Sequence, residues 1–133
     1  MKWFHLAVGI VLFVAFCVTG RMMRLDFPDK DAIPADLRLL MRSRHIYILF
    51  NSLLWLVLGT YLRLSPRIWQ RVFQVIGSLL LLLSAGHLIW GWYLESYELA
   101  RFSDVSRMGI YLSLAGVGFH LIGGIGREAG TAD

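Results

Sequence analysis

Charge is missing where this chain is richest in apolar residues. No Asp, Glu, Lys or Arg occurs within residues 3–20, 45–62, 72–94 or 108–126. Helices of a soluble bundle carry charge on their outer faces, so these four stretches exclude that class. Cysteine is nearly absent as well, and Cys17 stands alone. One thiol excludes an internal disulfide and a cysteine-built metal site, and Cys17 reads as a small packed hydrophobe. No acid lies near the histidines inside the stretches, which excludes a Ser–His–acid hydrolase arrangement. The run "GGIG" at 123–126 ends a helix instead of opening one, so it is no phosphate cradle. No basic stripe interleaves with aromatics, and no nucleic-acid partner is expected.

What is present is a 133-residue chain that is 57% hydrophobic. Soluble domains hold about 45–50%. Each uncharged stretch approaches the roughly 20 residues that a bilayer requires. The expected fold is all-α, an integral-membrane four-helix up-down bundle. A single transmembrane domain covers 1–133, with spans 3–20, 45–62, 72–94 and 108–126. Residues 21–44 form an extramembrane loop leading into helix two, which starts near Ile33 or Pro34, because proline fits a first helical turn. The first stretch lacks a small-x-small cleavage site, and Phe16 before Cys17 spoils a lipoprotein box, so it reads as a permanent helix. Trp3, Tyr61, Trp69, Trp90, Trp92, Tyr93 and Tyr97 fall near span ends and form an aromatic belt. Asp104 or Ser106 is the expected N-cap of helix four, and the tail "REAGTAD" reads as frayed.

Orientation follows from Lys and Arg. The side holding both termini has five, and the side holding the two longer loops has eight. Their density in the tight "RLSPRIWQR" link places the termini in the cytoplasm. The expected location is the bacterial inner (plasma) membrane, multi-pass, with the lipid bilayer as the first partner. Arg38, Arg42 and Arg44 stand one to two turns apart and read as interfacial anchors on lipid headgroups.

Each span receives one histidine: His5, His45, His87 and His120. Positions three and four apart share a helix stripe. The stripe through His120 is Gly109, Ser113, Gly116, His120 and Gly123, all small or polar. Through His87 it is Gly77, Leu80, Ser84, His87 and Gly91. Through His45 it is His45, Ile48, Ser52, Trp55 and Gly59; through His5 it is His5, Gly9, Leu12, Phe16 and Thr19. Small residues let helix backbones approach in lipid, so Gly77, Gly91, Gly109, Gly116 and Gly123 are the expected packing positions. Asn51, Ser52, Ser84, His87, Ser113 and His120 are then the expected polar interior. Counting from the flanking charges puts Asn51, His87 and Ser113 at similar depth.

Three functions fit that interior. The favoured one is a small polytopic membrane protein whose histidine/asparagine site serves an accessory or interaction subunit, in a homodimer or a larger membrane complex, without enzymatic chemistry. The alternative is a b-type haem-binding electron-transfer protein, with haem b held by His45 with His87 and by His5 with His120. Four-helix b-type cytochromes share the helix number and histidine placement, although no motif matches residue by residue. The second alternative is a small transporter in which a histidine titrates.

Overall fold

The computed structural model describes residues 1–29, 32–95 and 104–125. They form four α-helices: α1 (Lys2–Asp26), α2 (Ala35–Tyr61), α3 (Ile68–Glu95) and α4 (Asp104–Gly124). The helices outrun the apolar stretches. Most of the expected 21–44 loop is helical, and only 27–34 separate α1 from α2. Arg, Met and Leu at 21–25 are good helix formers. The break comes at Phe27, whose backbone leaves the helical region (φ −129°, ψ 72°), as a residue before proline tends to do. Pro34 caps α2, and its carbonyl accepts the Arg38 N–H at 3.0 Å. Tyr97, the end of span four at Gly126 and the tail 127–133 lie outside the described residues.

α1, α3 and α4 are long and apolar enough to cross a membrane; α2, which holds the expected span 45–62, is not among them. The cause is the residues α2 turns inward. Arg44, Asn51 and Ser52 are buried and His45 is half-buried. Arg44 is therefore no interfacial anchor: it is 2% exposed and lies 3.9 Å from Glu95. Arg42 is exposed and Arg38 half-buried.

The packing inverts that of a water-soluble domain. Among the described residues, fourteen polar or charged side chains are buried against eight hydrophobic ones, while large Leu, Ile, Val, Phe and Trp side chains cover the exterior. Cys17 is exposed on α1, not packed inside. Trp92 is buried, not part of a belt, whereas Trp3, Tyr61, Trp69, Trp90 and Tyr93 are exposed.

The helices associate as two close pairs, α1 with α2 and α3 with α4; α2 also meets α3, and α2 barely touches α4. Glycine explains the close pairs. A Cβ on Gly9 would stand 3.0 Å from the Leu56 backbone nitrogen, and one on Gly116 would stand 2.9 Å from the Gly77 carbonyl oxygen. Early α1 thus meets late α2. The buried line of α3 runs Gln70, Gln74, Gly77, Leu81, Ser84, Leu88, Gly91, Glu95, alternating steps of four and three. That of α4 runs Ser106, Gly109, Ser113, Gly116, His120, Gly123. Such seven-residue repeats keep one seam facing a neighbour over many turns.

Apolar and polar groups alternate along the seam. Leu12, Trp55, Leu81 and Ala85 form one apolar cluster, and Ile48, Leu88 and Trp92 form another. Asn51 lies between the two in sequence, flanked by Ile48 and Trp55, with Ser84 and Ser113 bonded to it, and His5, Ser78 and His120 lie toward the terminal end.

Candidate functional site

The first polar cluster joins three helices. Asn51 of α2 donates through Nδ2 to Ser84 Oγ of α3 and to Ser113 Oγ of α4, both at 2.9 Å. The two hydroxyls lie 2.6 Å apart, and Ser84 donates to the Gly109 carbonyl at 2.7 Å. Asn51, Ser84 and Ser113 are 0%, 0% and 1% exposed. The amide can reach both hydroxyls because Gly109 and Gly116 let α4 lie directly on α3. Within this cluster, Asn51 Oδ1 has no partner among the described residues. Buried polar networks of this kind specify one helix arrangement when nearly every member is paired. Ser52, one residue on, donates to the Gly9 carbonyl of α1 at 2.9 Å.

The second cluster sits at the terminal end and centres on Ser78, whose hydroxyl was not singled out from sequence. Its Oγ lies 2.9 Å from His5 Nε2, 3.0 Å from the Gln74 carbonyl and 3.3 Å from His120 Nε2. His5 also places Nδ1 2.8 Å from the Met1 carbonyl and packs on Trp55, with ring centroids 4.9 Å apart. Below this, Gln74 accepts the Ser65 N–H at 3.0 Å and donates to the Gly123 carbonyl at 3.3 Å. Gln70 donates to the Ile125 carbonyl at 2.7 Å and accepts from Ser65 Oγ. The two glutamines satisfy carbonyls that the end of α4 leaves without helical partners.

A third group closes the opposite end. The Glu95 carboxylate accepts the Val105 N–H at 3.0 Å and the Ser106 hydroxyl at 2.6 Å. An anion at a helix N-terminus meets the positive end of the dipole and its free N–H groups. Glu95 thus performs the capping role expected of Asp104 or Ser106; Asp104 is instead paired with Arg107 at 2.6 Å.

Two histidines lie elsewhere. His45 bonds Thr19 of α1 at 3.0 Å and stacks on Phe16, with centroids 4.1 Å apart. His87 is half-exposed, and its Nδ1 lies 2.8 Å from the Leu83 carbonyl of its own helix. It does not join the Asn51 cluster, because the buried line of α3 passes through Leu88 and leaves His87 at the edge. The packing glycines Gly77, Gly91, Gly109, Gly116 and Gly123 are all buried.

The haem pairings meet this geometry poorly. His45 packs between α1 and α2, whereas His87 lies at the edge of α3. The His5 and His120 rings are 6.1 Å apart and edge-on, with both Nε2 atoms directed at Ser78 Oγ. Two axial histidines would have to direct those nitrogens at one iron from opposite faces of a macrocycle. Among the described residues no group of three or more His, Cys, Asp or Glu could hold a metal ion. No family model matches the chain, and no curated protein or solved structure is similar enough to count as a match.

Proposed function

We propose that this chain is a multi-pass protein of the bacterial inner membrane, an up-down bundle with both termini cytoplasmic, acting as an accessory or interaction subunit. The observation that carries the reading is the inverted packing: buried polar groups inside, large apolar side chains outside. Lipid is the solvent in which that arrangement is favourable, since interior polar groups pair with one another while acyl chains cover the exterior. α2 crosses with the others, its polar groups shielded by α1, α3 and α4. The Asn51 cluster engages its side chains in holding helices together, which suits a subunit that works through shape and association.

Alkaline extraction of membranes, followed by purification in mild detergent, tests the reading. The protein should stay in the membrane fraction, co-purify with itself or a membrane partner, and show no Soret band. Release by carbonate would remove the membrane assignment. A Soret band lost on His120→Ala would replace the subunit reading with haem electron transfer.

A further inference from the structure

A cavity of about 220 Å³ opens between the end of α1 and the start of α2, on the side of the two longer loops. The register of the helix pair builds it. Gly9 lies against Leu56 and Gly20 against His45, so eleven residues forward on α1 match eleven residues back on α2. Continued past Gly20, that register sets Arg24 opposite Met41 and Phe27 opposite Arg38. Arg38 and Arg42, four residues apart, share one face of α2. Ile33, between the helices, also lines the cavity.

Three arginines therefore border one opening, Arg24 from α1 and Arg38 and Arg42 from α2, and no described acid lines it. Arg24 and Arg42 are exposed, and neither is paired with an acid among the described residues. Asp36 turns its carboxylate to the Leu37 N–H at 2.9 Å. Phe27, Ile33 and Met41 give the cavity apolar walls. Its depth is set by the chain. The uncharged stretches stop at Gly20 and resume at His45. Arg24 and Phe27 stand four and seven residues beyond Gly20, about 6–10 Å along the helix. That is the level of the headgroup layer, which adds about 5–8 Å on each side of the hydrocarbon core.

We propose that this cavity holds the phosphate and glycerol of an anionic phospholipid, with Arg24 and Arg42 on the phosphate and the acyl chains left in the bilayer. The inference deepens the membrane-embedded reading and rests on it. A guanidinium presents a fork of N–H donors that matches phosphate oxygens. The apolar walls suit glycerol and the first carbons of a chain better than a hydrated ion. The volume falls below the roughly 300 Å³ of an ordinary ligand site, as suits a headgroup whose tails stay outside. A zwitterionic lipid brings its own cation to the arginines, so the site favours a lipid with net negative charge.

The test titrates the full chain, stripped of lipid in detergent, with dioleoylphosphatidylglycerol, dioleoylphosphatidylcholine or inorganic phosphate, and counts bound molecules by native mass spectrometry. The first phosphatidylglycerol should bind at least about fivefold more tightly than phosphatidylcholine. Arg24→Gln and Arg42→Gln, at exposed positions, should each weaken it about fivefold, the contribution of one basic residue beside anionic lipid. Arg21→Gln, exposed on α1 outside the cavity, should change it by less than about twofold. Ile33→Trp fills the cavity without altering charge and should weaken it by at least about tenfold. Inorganic phosphate at equal concentration should leave the lipid bound. Equal binding of the two lipids, or an equal loss in Arg21→Gln, would overturn the proposal. Undiminished binding in Ile33→Trp would reduce it to loose surface attraction and overturn it too. Displacement by inorganic phosphate would make the ligand a free anion and overturn the lipid assignment. Failure of the membrane reading shows separately, as protein that carbonate releases from membranes.

Discussion

The Asn51 and Ser78 clusters use similar chemistry to different ends. Each joins three helices through serine hydroxyls. Around Asn51 two small hydroxyls meet a two-proton donor, all under 2% exposed, with Gly109 and Gly116 holding α4 against α3. Around Ser78 one hydroxyl serves two imidazoles and a carbonyl, more than its single proton can satisfy as a donor. That cluster also borders the gap between α2 and α4. Closed packing makes the first a fastening. One shared proton and an unpartnered buried nitrogen on His120 leave the second less satisfied than the first.

The largest effect should come from removing what both clusters share. Gly116→Leu puts a side chain where even a Cβ would lie 2.8 Å from Leu81 and 2.9 Å from the Gly77 carbonyl, so α3 and α4 must separate. We expect a loss above about 3 kcal/mol in an SDS unfolding titration, the upper range for overpacking. An unchanged midpoint would contradict the close seam.

Next comes the contrast itself. Asn51→Leu should destabilise by about 1–3 kcal/mol in the same titration, the range for losing buried hydrogen bonds. Ser78→Ala should lower stability by a similar or smaller amount, about 0.5–2 kcal/mol, because one proton already leaves part of its cluster unsatisfied. If Ser78→Ala cost clearly more than Asn51→Leu, the roles of the clusters would be reversed. Ser52→Ala loses one bond to the Gly9 carbonyl and should lower the same titration by about 0.6 kcal/mol. The smallest effect belongs to His87→Ala, within about 0.5 kcal/mol, since among the described residues its ring bonds to its own helix alone. A larger loss would return His87 to the interior.

Helix existence and most inward faces were legible because small and polar residues recur at steps of three and four. In α4 the stripe drawn from sequence, Gly109, Ser113, Gly116, His120 and Gly123, is the buried face. In α1, His5, Gly9, Leu12 and Thr19 are buried, with Phe16 at the edge. α3 was harder. Gly77, Ser84 and Gly91 stand seven apart, and either the third or the fourth residue after each can complete the stripe. Taking three selects Leu80 and His87; the fold takes four, Leu81 and Leu88. Extending the same rule to Gln70, Gln74 and Glu95 would have found the ends of the seam. Arg44 and Trp92 were misplaced because a charge or an indole near a span end looks the same in sequence whether it turns to the headgroups or inward. Ser78 lies one position from Gly77, and only the approach of His5 and His120 gives it a role.

Nitroxide scanning of α4 in bilayers would test the inverted packing most directly. Single cysteines are placed in turn at residues 109–123 in a Cys17→Ser background, and collision with oxygen and with a water-soluble nickel complex is measured. Oxygen accessibility should rise and fall with the helical period, high at Leu114 and Leu121 and low at Ser113 and His120, with nickel excluded from both faces at mid-helix. Equal oxygen access at Ser113 and Leu114, or nickel access at Leu114, would contradict it.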